Sequence, residues 1–243
     1  MDINISSQPQ YQLLLNGEMT LKGQFTWGSN YTFLVEVQSG EEVAAAVYKP
    51  RKGERPLWDF PQASLAHREV AAYLVSEALG WQLVPLTIYR RQGPLGPGSL
   101  QLYVEHDPEY HFFTMSADDR QRLRPVALFD LLINNADRKG GHLLVGVAGH
   151  VWLIDHGVCF HVEDKLRTVI WDFAGEPIPP DLHAALESFL QKLAPASELT
   201  TALEAHLRRA EISALQERAQ ALLAAGVFPN PPEDRRPYPW PPV

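Results

Sequence analysis

Hydrophobic and polar positions alternate over much of the first hundred residues, and then the period changes. Tyr11-Gln12-Leu13-Leu14-Leu15 and, beyond Gly17, Met19-Thr20-Leu21-Lys22-Gly23 predict a short paired ribbon. Residues 31–37 and 42–48, rich in β-branched and aromatic side chains, flank Ser39-Gly40-Glu41 and predict a hairpin. Pro50 ends the second strand, because it has no N–H to give to a ladder. From Ser64 the period is helical. Val70, Leu74 and Leu79, with the small Ala71, Ala72 and Ala78, recur at helix spacing, and Gly80 stands where a C-cap belongs. Two more strands, over 86–89 and 100–104, are separated by the turn-rich stretch 92–98, and Asp107-Pro108 then breaks the chain.

Beyond the break the pattern is mainly helical. An apolar face of Leu123, Val126, Ala127, Phe129, Leu131 and Leu132 predicts a helix over 118–134. Two short apolar segments follow, 142–145 and 151–154, and then helices over 181–193 and 195–225, the last closed by Gly226. Residues 229–243 are rich in proline and predict an extended tail. Strands first and helices second give an α+β chain of two lobes. The expected division is a β-rich lobe with one helix over 1–105, a helical lobe over 106–226 and a tail over 227–243.

Composition narrows the function classes. The 243 residues are 45% hydrophobic and 21% charged, which is ordinary globular composition. A net charge of -8 argues against a nucleic-acid partner, since phosphate backbones need a basic footprint. The single cysteine, Cys159, rules out an intramolecular disulfide framework and fits a reducing compartment. No basic-then-apolar leader opens the sequence and no apolar run is long enough to cross a bilayer. The expectation is a cytoplasmic protein without integral membrane association.

Two acidic residues then stand out. Asp137 follows Asn134-Asn135-Ala136 at the end of an apolar helix, and Asp155-His156-Gly157 follows the strand Val151-Trp152-Leu153-Ile154. Carboxylates emerging side by side from apolar elements can share a magnesium ion and a phosphoryl group. Taken singly, each reads better as turn chemistry. In the first half, Lys49 ends an otherwise apolar strand, and Glu69 lies on the following helix, on the same side as Tyr73. A Lys held by a helical Glu presents a fixed positive charge to an ATP phosphate. Gly28-Ser29-Asn30 is a turn able to approach phosphates through backbone N–H groups, although it lacks the GxxxxGK[ST] pattern. The serial order of these parts is that of a kinase.

With these residues in place, the sequence resembles the phosphatidylinositol 3- and 4-kinase superfamily, most closely the type II phosphatidylinositol 4-kinases and their bacterial relatives. The resemblance runs over about 23–179. Residues 28–35 look like that family's phosphate loop and strand, placing Ser29 and Asn30 near ATP. Ala46-Val47-Tyr48-Lys49-Pro50 is similar to its lysine strand, and Glu69 with Leu83-Val84-Pro85 matches the helix and next strand. Residues 100–105 look like the hinge, where backbone groups of Tyr103 and Val104 would meet adenine. Asn134-Asn135-Ala136-Asp137-Arg138 resembles the catalytic loop, which implies Asp137 as base, with Arg138 and Lys49 as further catalytic residues. Residues 153–160 are similar to the metal-binding strand and turn, which implies Asp155 as the main metal ligand.

One position departs from the family. Its catalytic loop supplies a carboxamide to the metal shortly after the Asp, and here His142 stands in that place. Imidazole suits transition metals better than magnesium. Three outcomes are open: manganese is preferred over magnesium, His142 turns away and Asn135 compensates, or activity is impaired. His156 and Cys159 are given no chemical role. The resulting expectation is an ATP- and metal-dependent kinase with an unidentified hydroxyl acceptor, a protein or soluble small molecule rather than a lipid. The alternatives are a nucleotide-binding pseudokinase and a nucleotidyl transferase on the same fold.

Overall fold

The alternating first half builds one sheet. The computed structural model describes residues 9–25 and 30–243. Strands β1 (Glu18–Phe25), β2 (Thr32–Ser39), β3 (Glu42–Pro50), β4 (Thr87–Arg90) and β5 (Gly98–Leu102) pair antiparallel in the order β1-β2-β3-β5-β4. The β2–β3 hairpin is the expected one. Ser39 pairs with Glu42, and Gly40 takes φ +61°, the left-handed conformation that a two-residue turn demands. Alternation then chooses the faces. Val35, Val37, Ala46 and Tyr48 are completely buried, as is Leu100 opposite Tyr48. Lys49, one residue on, therefore turns to the other face.

The ribbon strand expected over 11–15 is a helix instead, α1 (Pro9–Asn16). Leu13 and Leu14 are both buried, and a strand would have sent these neighbours to opposite faces. A short apolar run does not by its period separate helix from strand, so packing decided. The Arg90 guanidinium donates to the Leu14 carbonyl and, at 2.7 Å, to the Gly17 carbonyl, satisfying the end of this helix. The long helix of this lobe, α2 (Leu65–Leu79), starts and stops as its sequence predicts. The Glu54 carboxylate accepts from the Leu65 and Ala66 N–H groups at 3.2 and 2.9 Å, and Gly80 closes the helix at φ +74°.

The second lobe holds α3 (Ala117–Gln121), α4 (Arg124–Ile133), the hairpin β6 (Leu143–Val145) and β7 (Val151–Leu153), then α5 (Pro180–Lys192), α6 (Glu198–Glu204) and α7 (Arg209–Ala225). Two helices expected as continuous are each split. Over 118–134, Pro125 has no N–H and its ring clashes with the preceding turn, so a new helix begins with Pro125 in its first turn. Over 195–225, the restart is fixed by Glu211. One of its oxygens accepts from the Arg208 N–H at 2.8 Å, and the other pairs with Arg68 of α2 in a buried ion pair. Arg68 also donates to the Cys159 carbonyl, so α2 is tied to the second lobe as well as to the sheet.

Residues 229–243 form neither helix nor strand but are hydrogen-bonded to the body of the second lobe. Among the described residues, no helix is long and apolar enough to cross a membrane.

Candidate active site

Three elements from different parts of the chain bring their charges to one point. Lys49, at the end of β3, pairs with Glu69 of α2 and reaches Asp155 Oδ1 at 3.0 Å. Glu69 is nearly buried, and its second oxygen accepts from the His156 N–H at 2.9 Å, which docks the Asp155 turn onto α2. Burial opposes the charge on Lys49, but Asp155 and Glu69 outweigh it and raise its pKa. Asp155 is in turn held well below the usual carboxylate range, chiefly by Lys49 and against its own burial. Lys49 and Asp155 are thus both ionised at neutral pH. Asp155 sits at φ +63°, a conformation that is uncommon outside glycine.

The loop carrying Asp137 leaves α4 through Asn134, at φ +54°, and is anchored from below. Arg138 is completely buried. Its Nε donates to both oxygens of Asp130 on α4 at 3.0 and 3.1 Å, Nη1 donates to the Ile154 carbonyl at 2.9 Å, and Nη2 lies 2.8 Å from His156 Nε2. Asp130 also accepts from Asn135 Nδ2 and Thr168 Oγ1, each at 3.1 Å. Asp137 stands above this network, part-exposed, with Lys139 Nζ 3.8 Å away. Burial pushes its pKa up to about 6; Lys139 opposes the shift and Asp155 adds to it. A carboxyl with that pKa is a base at neutral pH that can still take a proton.

His142 lies beside Asp155. Its Nε2 lies 3.4 Å from Asp155 Oδ2, and burial lowers its pKa to about 4, so the ring is neutral. Nδ1 accepts from the Lys139 N–H at 3.4 Å, which leaves the ring proton on Nε2, facing Asp155. Ligation through Nε2 therefore requires the other tautomer. Among the described residues, no group of three or more His, Cys, Asp or Glu side chains could hold a metal ion by itself. Two side chains with open positions fit a cation that also takes oxygens from a phosphorylated substrate and water.

Asn135 is not brought beside Asp155. It is buried, its Nδ2 donates to Asp130 and its Oδ1 accepts from the Asp137 N–H at 3.0 Å. Arg138, expected beside the chemistry, lies beneath the loop and positions it. Ser29 lies outside the described residues. Asn30 lines the same small cavity as Lys49, Glu54, Glu69 and Asp155, about 80 Å³ in volume, and its Oδ1 accepts from the Arg55 N–H at 2.8 Å. Where the resemblance implies a hinge, the Tyr103 N–H donates to the Ala45 carbonyl at 3.0 Å, whereas the Val104 N–H has no partner among the described residues. A larger cavity, about 470 Å³, lies behind α2 among His67, Tyr73, Tyr89 and His206, away from these residues.

Sequence reasoning missed Asp130, His156, Arg68 and Glu211. Only Asp130 carried a signal, as a charge inside the apolar run Phe129-Asp130-Leu131-Leu132. Arg68 and Glu211 are separated by 143 residues, and no local pattern links them.

Protein Rv2133c of Mycobacterium tuberculosis is 44% identical, over 96% of this chain and 95% of its own length. The chain belongs to that protein's family. Phosphatidylinositol 4-kinase gamma 4 of Oryza sativa is 32% identical over 51% of this chain, which spans only 26% of that longer relative. No family model matches the chain. Among solved structures, hydra Fam20 with sugar superimposes with a TM-score of 0.56 over 93% of this chain and 89% of its own, at 14% identity. The Golgi casein kinase does so with a TM-score of 0.50 over 90% and 74%, at 16% identity. At such identities the likeness is one of fold: the two-lobed α+β chain has a kinase-like fold.

Proposed function

We propose that this protein is an ATP-dependent phosphotransferase, a kinase of the phosphatidylinositol 3-/4-kinase-like type. The observation that carries the reading is Lys49 held at once by Glu69 and Asp155, the arrangement that fixes a cation for phosphate binding. Lys49 holds the phosphates of ATP at the small cavity, and the Val104 N–H receives the adenine. Asp155 and, in its other tautomer, His142 hold a divalent cation, magnesium or manganese. When bound, that cation neutralises charge developing on the phosphoryl oxygens.

Asp137 orients the acceptor hydroxyl. The hydroxyl oxygen bonds to the γ-phosphorus, the bond to the ADP oxygen breaks, and the proton passes to the Asp137 carboxylate. Positioning and charge supply most of the acceleration, so few residues suffice. A protein or soluble small molecule is favoured as acceptor over a lipid, and the cytoplasm as compartment, given the acidic chain and its single buried cysteine.

Calorimetric titration of ATP, with magnesium and then manganese, beside Lys49→Ala, tests the site. Metal-dependent binding that Lys49→Ala weakens about tenfold or more supports it, since a charge-assisted contact to phosphate is lost. Absence of binding with either metal refutes it. The His142 tautomer favours one second reading, a nucleotide-binding pseudokinase. It predicts the same binding with no transfer of label from γ-labelled ATP.

A further inference from the structure

The cavity behind α2 takes its walls from both lobes. Val70 and Tyr73 of α2, Ile88 of β4 and Leu199 of α6 enclose about 470 Å³, room for one small ring system. Two histidines meet beside these walls. His67 of α2 and His206, two residues past the end of α6, bring their Nδ1 atoms to 3.0 Å. The His67 ring also stacks on Tyr89, with centroids 4.0 Å apart and planes 17° from parallel. Among the described residues, the carboxylate and guanidinium groups at this cavity are those of Glu198 and Arg91, opposite in sign and both on exposed residues.

The histidine pair fixes what an occupant has to supply. Burial lowers both pKa values, with Arg51 adding to the fall at His67 and His67 to that at His206, which reaches about 4. Both rings are therefore neutral at neutral pH, and each carries one ring proton. Between the two Nδ1 atoms, one ring donates and the other accepts. Whichever way round the pair lies, the donating ring keeps a lone pair on its Nε2 and the accepting ring keeps a proton there. Neither Nε2 has a hydrogen-bond partner among the described residues, and neither is shut off from solvent. A ligand with one donor and one acceptor at its edge satisfies both. The apolar walls offer no counter-ion to a buried charge, whose desolvation would be uncompensated. The aromatic faces of Tyr73 and of the stacked Tyr89 favour a flat partner.

We propose that this cavity is a small-molecule site, distinct from the one around Lys49, for an uncharged planar heteroaromatic compound that pairs its edge donor and acceptor with His67 and His206. The inference does not rest on the kinase reading.

The test is calorimetric titration of benzimidazole, which is flat, uncharged at neutral pH, and carries one ring N–H and one bare ring nitrogen. Saturable binding to the full chain is expected, with a Kd of about 1 mM or tighter for a probe of about nine non-hydrogen atoms. Ala202→Trp, which fills the cavity from α6, is expected to weaken binding about tenfold or more. 1-Methylbenzimidazole, which lacks the donor, is expected to bind the parent about five- to tenfold more weakly, and His206→Phe to weaken benzimidazole by a similar factor, since a neutral hydrogen bond is lost. Excess ATP with magnesium is expected to leave the titration unchanged. Absence of saturable binding, equal binding by Ala202→Trp, equal affinity for the methylated probe, or displacement by ATP each overturns the proposal. Should Ala202→Trp not fold, Ala205→Trp, at an exposed position on the same cavity, replaces it under the same criterion. A protein that binds benzimidazole in this way but not ATP refutes the kinase reading alone.

Discussion

Removing the Arg138 guanidinium tests whether the Asp137 loop stands on the buried network beneath it. In Arg138→Met the chain volume is roughly kept, but Asp130 loses both bonds from Nε, and the Ile154 carbonyl and His156 lose theirs. Asp130 and Arg138 are both completely buried, so no water replaces the lost partner. Breaking a buried pair in this way costs about 3–5 kcal/mol. For a domain of this size that is a fall in Tm of about 6–20 °C.

The deficit should also depend on pH. Burial already raises the Asp130 pKa, with Arg138 pulling it down, so the variant raises it further. A carboxyl whose folded pKa exceeds its unfolded value contributes stability at low pH and loses it as pH rises through the folded pKa. The variant should therefore lose more at pH 8 than at pH 5. Urea unfolding of parent and variant at both values measures this. Adding Asp130→Asn to the variant should recover about 1 kcal/mol or more, because the stranded charge is gone. A loss below about 1 kcal/mol, or one equal at both pH values and unrelieved by Asp130→Asn, would refute the account of the loop.

Other consequences are direct. Asp137→Asn should lower phosphoryl transfer by about 10²-fold or more while leaving ATP binding by calorimetry within a few-fold; lost binding would argue for a structural role. In the parent, transfer should rise with pH as Asp137 deprotonates, with a midpoint at or below about 6, because a cation at Asp155 removes one of the charges that raise it. A rate that falls across that range would exclude Asp137 as base. His142→Asn should move the metal preference from manganese toward magnesium, read as the ratio of ATP affinities with the two ions, and an unchanged ratio would take His142 out of the metal site. Cys159 is completely buried, and burial raises its thiol pKa, so a maleimide should label it only under denaturing conditions; labelling of the native protein would contradict this packing.

The short-range features of this protein were legible in its residues. Gly40 between β-branched runs specified a hairpin, Gly80 ended α2, and a lysine after an apolar strand with a glutamate on the next helix announced the pair that Lys49 and Glu69 make. Each depends on local backbone chemistry or on a period of two or 3.6, which a linear chain displays. Where local signals conflicted, packing chose. Leu13 and Leu14 became helical because both had a core to enter, and the last helix broke where Glu211 was drawn to Arg68.

Only the folded chain decided which polar residues face the cleft and which lie beneath it. Asn134-Asn135-Ala136-Asp137-Arg138 reads as five polar or small positions in a row. Within it, Arg138 and Asn135 are committed to Asp130, and Asp137 alone among the charged pair rises to the surface. The same holds for Pro242 on Gly140, joined across about a hundred residues of chain. A buried charge requires a partner from wherever the fold can supply one, and that requirement leaves no periodic trace in the sequence.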